Sequence, residues 1–465
     1  MVTPLLSNDP DAPDAPDAPK PRIKILQIEI TTNCNFRCLY CSHAHNPQAY
    51  SEQNSEVEGL TEHLNEYFMP VKTFEHLART SFGELERLIL YGVGEPLTHP
   101  HFIPMLDIAR KYLPAHAQIE FTTNGSFLTP AILDQIVPYR IHRIIFSLDT
   151  PFIVKNQAIR PGFTASVQDN LIYLGEVQRA GKIDIVAIES VISKVNLHDL
   201  PYLVDFCHEI GISIIYFSHL LPFSQDMHDQ VLYIPVSKMG FEIMVDIVES
   251  GWEILNQVIL TPKYNKFIET EKHPKIRHIF QSLDEARKNG IDIDLRKLTP
   301  MFQKMPQIQE TLQVFDQVRD RADQWEIAVD IPPLFVDHDH RECPFAVRDA
   351  LFVTVQGDIV PCYNFAHTHT LFIDEHERVE APHIVGGANI LTMPSSITNL
   401  LTTSEYQVLA ARLKNLAEKV PWCGECIYST QNCFYVKDNL TDCYGNQPGC
   451  NECLYSAGFV KCLFD

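Results

Sequence analysis

From Ile23 onward, apolar β-branched runs alternate with stretches whose apolar positions recur every three or four residues. The runs at 23–30, 85–91, 118–122, 143–148, 184–191 and 212–217 are rich in Ile, Leu, Val and Phe and read as strands. Between them, 102–112, 131–137, 167–179 and 200–210 carry helical spacing, and each closes on a Gly, a Pro or a polar break. Alternating strands and helices predict βα units around a parallel sheet. Six such units with right-handed crossovers suit an open (β/α)6 barrel, a TIM barrel short of two strands, or a flat doubly wound sheet, and periodicity does not choose between them.

The pattern changes on either side of this region. Residues 9–21 read DPDAPDAPDAPKP, a proline-broken acidic repeat with little to pack, so 1–22 is expected to be a disordered tail ahead of a barrel at 23–226. From 227 to 342 the alternation fades into helical stretches (238–259, 307–323) and short strand-like pieces (291–295, 325–331), which reads as a helical insertion or bridge. Residues 343–465 hold nine of the thirteen cysteines, too many for an ordinary core, and predict a metal-bearing domain.

A chain of 465 residues, 45% hydrophobic, has room for two or three domains. Its net charge of -22 speaks against nucleic-acid binding, which needs a basic surface to meet phosphates. The first twenty residues lack the basic flank and apolar core of a signal peptide, so the cysteines are expected to be metal ligands in a reducing cytoplasm rather than disulfides. No apolar run reaches about 18 residues, and no membrane span is expected.

Cys34, Cys38 and Cys41 form a C-x3-C-x2-C array directly after the first run. Three thiolates are one short of a closed site, so a tight three-cysteine loop suggests a [4Fe-4S] cluster with one open iron. A zinc knuckle completed by His43 or His45 is the alternative. Further chemistry falls where successive strands end, the working face of a parallel barrel. Gly92-Val93-Gly94-Glu95-Pro96 follows the second strand, Thr122-Thr123-Asn124-Gly125 the third, and Ser147-Leu148-Asp149 closes the fourth. Arg160 can grip a carboxylate with two parallel N–H groups. Of Glu189 and Ser190 on the fifth strand, alternation turns only one inward.

With Tyr40 just before the third cysteine, these motifs in this order resemble the radical S-adenosylmethionine (SAM) superfamily. The resemblance implies the barrel, a cluster whose open iron chelates the methionine end of SAM, and reductive cleavage to a 5'-deoxyadenosyl radical by an electron from an external donor. It implies cofactor contacts from Tyr40, Gly92, Gly94, Glu95, Pro96, Asn124, Ser147, Asp149, Arg160 and Glu189, with Glu95 adding charge near the methionine ammonium. Cys343, then Gly357 to Cys362, then Cys423, Cys426 and Cys433 resemble the SPASM extension of peptide maturases, which binds two auxiliary [4Fe-4S] clusters. The later spacings depart from that family. Cys343, Cys362, Cys423, Cys426, Cys433, Cys443, Cys450, Cys453 and Cys462 supply nine thiols where two clusters need eight. A pair of zinc ribbons on the two C-x2-C pairs is the competing reading. Cys207 reads as a buried structural thiol. The histidine pairs 43/45, 338/340 and 367/369 read as solvated loops.

The family implies a peptide or protein substrate more often than a small molecule. Tyr363 stands where sulfatase maturases of the family carry an aspartate, which disfavours formylglycine formation. The acidic tail is no leader-recognition domain, so a precursor's leader is expected to be held by a separate partner protein. The layout around 219–227 is similar to maturases of Nif-type leader peptides, including spliceases that excise a tyrosine-derived tyramine unit and leave an α-keto-β-amino amide. A cross-linker or a maturase of an oxidoreductase, a small-molecule radical dehydrogenase, and a non-catalytic metal scaffold stand beside it.

Overall fold

The computed structural model describes residues 22–45, 67–259, 274–373, 376–393, 396–429 and 433–462. The acidic tail, apart from Arg22, lies outside the described residues. All six runs form parallel strands paired in chain order: β1 (Ile25–Ile28), β2 (Arg87–Leu90), β3 (Gln118–Thr123), β4 (Arg143–Ser147), β5 (Ile185–Ile192) and β6 (Ile214–His219). Neighbouring parallel strands need a crossover back to the same end, and the helices Val71–Ser81, Phe102–Tyr112, Pro130–Ile136, Ala165–Arg179 and Leu200–Ile210 supply it. These helices bury Phe74, Leu106, Leu133, Leu171 and Leu203 against the outer strand faces. Each such side chain contributes about 1.5–3 kcal/mol on leaving water. Helix Leu200–Ile210 ends at Gly211, whose positive φ of 79° sends its N–H back to the Cys207 and His208 carbonyls. The fold is α/β, a partial barrel of βα units.

The sheet runs beyond the six expected strands. After β7 (Ile234–Ser237), strand β8 (Ala328–Asp330) adds to β6 in parallel, and β9 (Phe335–Val336) pairs with β7. At the other rim β10 (Ala350–Val353) pairs in parallel with β1, matching Ile25 to Ala350 and Ile28 to Val353, and β11 (Ile359–Val360) folds back on β10. Phe345, Phe352, Val360, Leu400 and Leu413 share one apolar core with the barrel. A final hairpin joins β12 (His369–Ile373) to β13 (His376–Glu380).

Within 227–342 the structure shows helices Lys238–Ile259, Pro274–Lys288, Leu298–Gln303 and Met305–Trp325. The strand expected at 291–295 is a loop, because Asp294 turns it by accepting from the Arg296 N–H at 3.0 Å and from the Arg296 side chain. Of the strand expected at 325–331, only Ala328–Asp330 forms. Trp325 instead ends the long helix, and Glu326 at φ 54° caps it. Phe241, Met244, Ile276, Ile279 and Met301 make a second apolar cluster here. Val314, Phe315 and Val318 of the long helix pack into the barrel core instead.

Candidate active site

The C-terminal ends of the barrel strands open into one cleft. Cys34, Cys38 and Cys41 stand on its wall. Their loop is held from both sides: the Arg37 and Leu39 N–H groups donate to the carbonyls of Pro161 (3.1 Å) and Ile159 (2.9 Å), and the Thr31 hydroxyl donates to the Tyr67 carbonyl at 2.6 Å. Gly162, at φ 116°, leaves room for the Phe36 ring, which lies 2.4 Å from where a Cβ would stand.

All three sulfurs are free of disulfides. Burial pushes the Cys34 thiol up to about 12 and Cys38 to about 11, so a bound metal must displace their protons. The Phe36 N–H (3.5 Å) and the Asn124 amide (3.8 Å) point at Cys34 Sγ and suit a thiolate there. Among the described residues no three His, Cys, Asp or Glu side chains stand close enough to share a single metal ion. The loop's fit to an iron-sulfur cluster therefore rests on its donor chemistry.

The glycine loop serves β1 and its neighbour. A Cβ on Gly92 would meet Glu29 Cγ at 2.4 Å, and one on Gly94 would meet the Thr31 carbonyl oxygen at 2.4 Å. Both glycines still line the cleft. Glu95 also lines it, but its carboxylate turns inward to accept from the Thr123 hydroxyl (2.8 Å), the Asn124 N–H (2.6 Å) and the Leu97 N–H (3.1 Å). Burial raises Glu95 to about 7 against those three bonds. Its acceptors are committed to the Asn-Gly turn. Asn124 in turn reaches back to Asn35 at 2.9 Å and so ties that turn to the cysteine loop. Pro96 opens the short 3-10 helix Pro96–Thr98 and is absent from the cleft wall.

Ser147, Asp149, Arg160, Glu189 and Tyr40 converge on the opposite strand ends. Arg160 spends Nε (2.7 Å) and Nη2 (3.1 Å) on the Asp149 carboxylate, which also accepts from the Val191 N–H at 2.8 Å. Asp149 is thereby a fully buried anchor for Arg160, and only part of the guanidinium is left for a ligand's carboxylate. Glu189 is the inward residue of its pair, while Ser190 is buried on the other face. Burial raises Glu189 to about 7, with Arg160 pulling it down and Asp149 pushing it up. Burial likewise raises the Tyr40 phenol to about 12.

The C-terminal block supplies the far wall: the aromatic Tyr363 beside Cys362, a sequence-level candidate for a substrate pocket with Phe365, lines it together with Cys462, and sequence reasoning missed Asn364, His367, His369 and Tyr455. His367 and His369 are buried, not solvated, because His367 faces the Glu29 carboxylate and His369 Nδ1 bonds the His367 carbonyl oxygen at 2.9 Å. His43 is buried too, and His338 bonds Glu425. The lone acid Glu29 within the apolar run 23–30 was the available signal. His219, at the end of β6, also lines the cleft; burial lowers it to about 4, and its Nδ1 has no partner among the described residues.

The nine C-terminal cysteines divide. Cys343, Cys362, Cys450 and Cys453 surround a second, small cavity beside Arg378 and Glu380. Cys423 interacts with Cys426, and Cys443 with Cys426 and Cys433, as a second group. Asn451 donates to Cys423 Sγ at 3.1 Å and accepts from Arg378 at 3.3 Å, linking the two. Cys462 faces the main cleft and lies within electrostatic reach of Cys362. Cys207 is a buried thiol in the core.

A parallel partial barrel with a three-cysteine loop after its first strand defines a class. The model described as the Radical SAM superfamily matches residues 28–207, so this part of the chain is a radical SAM domain and the protein is an enzyme of that class. The class implies an iron-sulfur cluster and SAM.

The chain is 24% identical over 444 residues, 95% of its length and 97% of the relative's, to a Pyrococcus furiosus protein named tungsten-containing aldehyde ferredoxin oxidoreductase cofactor-modifying protein. An AdoMet-dependent heme synthase of Methanosarcina barkeri is 25% identical over 59% of this chain and 68% of that protein. Among solved structures, Streptococcus suis SuiB bound to S-adenosylmethionine covers 84% of this chain and 68% of its own at 16% identity, with a TM-score of 0.45. No helix among the described residues is long and apolar enough to cross a membrane.

Proposed function

We propose that the protein is a radical SAM maturase, an enzyme that completes another gene product by radical chemistry in the cleft over Cys34, Cys38 and Cys41. The observation that carries this reading is the two-sided cleft: strand-end residues form one wall and the cysteine-rich block the other. The near end-to-end alignment with a relative named as cofactor-modifying supports maturation of an oxidoreductase.

Cys34, Cys38 and Cys41 would hold a [4Fe-4S] cluster, which supplies the electron that splits SAM into methionine and a 5'-deoxyadenosyl radical. Arg160, Glu189, Ser147 and Tyr40 would face SAM. Cys343, Cys362, Cys450 and Cys453 would take one auxiliary cluster, and Cys423, Cys426, Cys433 and Cys443 another. Cys462 is then surplus to both.

A second reading keeps a ribosomal precursor peptide as substrate, its leader held by a separate protein and, in the narrowest form, a tyramine unit excised. The open mouth of the cleft favours it, since a chain could thread there. One experiment tests both. The anaerobically reconstituted protein is given SAM, dithionite and either the apo-oxidoreductase with its cofactor or the precursor with its partner. Release of 5'-deoxyadenosine with a mass change in one of these substrates supports the corresponding reading. SAM cleavage that neither accelerates nor alters is the result against maturation.

A further inference from the structure

Tyr40 reaches out of the cysteine loop to a buried chain of hydrogen bonds behind β4 and β5. Its phenol oxygen lies 2.6 Å from Ser193 Oγ, and Ser193 Oγ lies 3.0 Å from Asn196 Oδ1. Asn196 Nδ2 bonds the carbonyl oxygens of Asp149 and Val191, each at 2.9 Å. Ser193, Asn196 and Asp149 are all fully buried.

The chain can run in one direction only. Carbonyl oxygens accept and cannot donate, so Asn196 must present its NH2 to Asp149 and Val191 and its oxygen to Ser193. That oxygen also accepts the Ser193 N–H at 2.9 Å, which fixes the amide the same way round. Ser193 then spends its single hydroxyl hydrogen on Asn196. The phenol of Tyr40, on the cleft wall, must therefore donate its own hydrogen to Ser193. What Tyr40 can still offer the cleft is a lone pair.

We propose that Ser193 and Asn196 are positioning residues that make the Tyr40 phenol oxygen an acceptor, and that it receives an N–H of SAM, from the adenine amine or the methionine ammonium. This rests on the reading that SAM occupies the cleft. The relay also explains how the loop bearing Cys38 and Cys41 is kept in step with the Asp149–Arg160 pair, since Asn196 grips the backbone of Asp149 itself.

The test uses reconstituted protein, SAM and S-inosylmethionine, which replaces the adenine amine with an oxygen. Tyr40→Phe keeps the ring and is expected to raise the SAM Kd about 3- to 10-fold with the iron content and cluster spectrum unchanged. If that penalty vanishes with S-inosylmethionine, the donor is the adenine amine; if it persists, the donor is the ammonium. Ser193→Ala frees the phenol to turn and is expected to weaken SAM as well, while Tyr40→Phe/Ser193→Ala binds no worse than Tyr40→Phe alone. Unchanged SAM affinity in Tyr40→Phe, or additive losses in the double variant, would overturn the proposal. A wild-type protein that never binds SAM would overturn the occupancy of the cleft as well.

Discussion

His367 Nε2 lies 2.7 Å from Glu29 Oε2, and both side chains are withdrawn from solvent although 338 residues separate them. Glu29 also accepts from the Val93 N–H at 3.0 Å and the Val355 N–H at 3.3 Å, so one carboxylate ties the glycine loop, the C-terminal block and β1 together. A carboxylate behind an imidazole fixes the ring's tautomer, with Nε2 carrying hydrogen toward Glu29. Truncating His367 to Ala removes one of the three donors to the buried Glu29 carboxylate and is expected to cost about 1–3 kcal/mol in urea unfolding of the apoprotein. A loss below about 1 kcal/mol would show that the pair contributes little.

Gly92 is fixed by the same carboxylate. In Gly92→Ala the new methyl group overlaps Glu29 Cγ and Oε1, and the acid must leave its three donors. Lower thermal stability is expected, partly restored by shortening the acid in Gly92→Ala/Glu29→Asp. If Gly92→Ala melts with the wild type, the close approach is not confining.

The thiol partition predicts iron counts. Wild-type protein should hold about twelve irons, and replacing Cys34, Cys38 and Cys41 together with Ala should leave about eight. Replacing Cys343 and Cys362, or Cys423 and Cys426, should remove about four each. Cys462→Ala should remove none, and loss of a full cluster in that variant would reassign it as a ligand.

Glu189 sets a pH dependence. Its carboxyl is raised from 4.5 to about 7 in the folded protein, so between those values the native state holds a proton that the unfolded chain releases. Its contribution to stability therefore falls as pH climbs through this window, and Glu95, raised to about 7 as well, adds a slope of the same sign, while buried His219, lowered from 6.5 to about 4, opposes them between those values. Glu189→Gln is expected to shift the slope of apoprotein stability against pH between 4.5 and 7 in the positive direction. An unaltered slope in denaturant titrations across that range would count against burial as the cause.

The C-x2-C loop is seated on the bridge. The Glu425 carboxylate takes the Ser237 N–H and His338 Nε2, and Lys297 Nζ donates to the Gly424 carbonyl at 3.0 Å. Glu425→Ala should loosen this loop and speed iron loss to a chelator from the Cys423 group, with the Cys34 cluster retained. Equal release from both sites would place the effect elsewhere.

The six strands were legible because each is a short run rich in Ile, Leu, Val and Phe set between stretches of helical spacing. Helices Phe102–Tyr112 and Leu200–Ile210 were legible to the residue, since breaks at both ends punctuate their spacing. The cysteine loop and most of the strand-end residues could be read because they lie within a few positions of those runs. The pairing of β10 with β1 could not, because a parallel match across more than 300 residues leaves no local pattern. Apart from Tyr363, the far wall was invisible for the same reason. Histidines 367 and 369 sit in a polar, turn-rich stretch, and only their tertiary neighbours bury them.

The docking of Ala350–Val353 beside Ile25–Ile28 has a consequence for how the protein is made. Until the ribosome has passed residue 353, the first strand has an open flank with backbone groups ready to pair with any extended chain. A truncated product stopping at 226 would keep that flank for good, and would be recovered as aggregates rather than as a small working barrel. The last third of the chain is thus a fastener for the first as well as a carrier of sulfur.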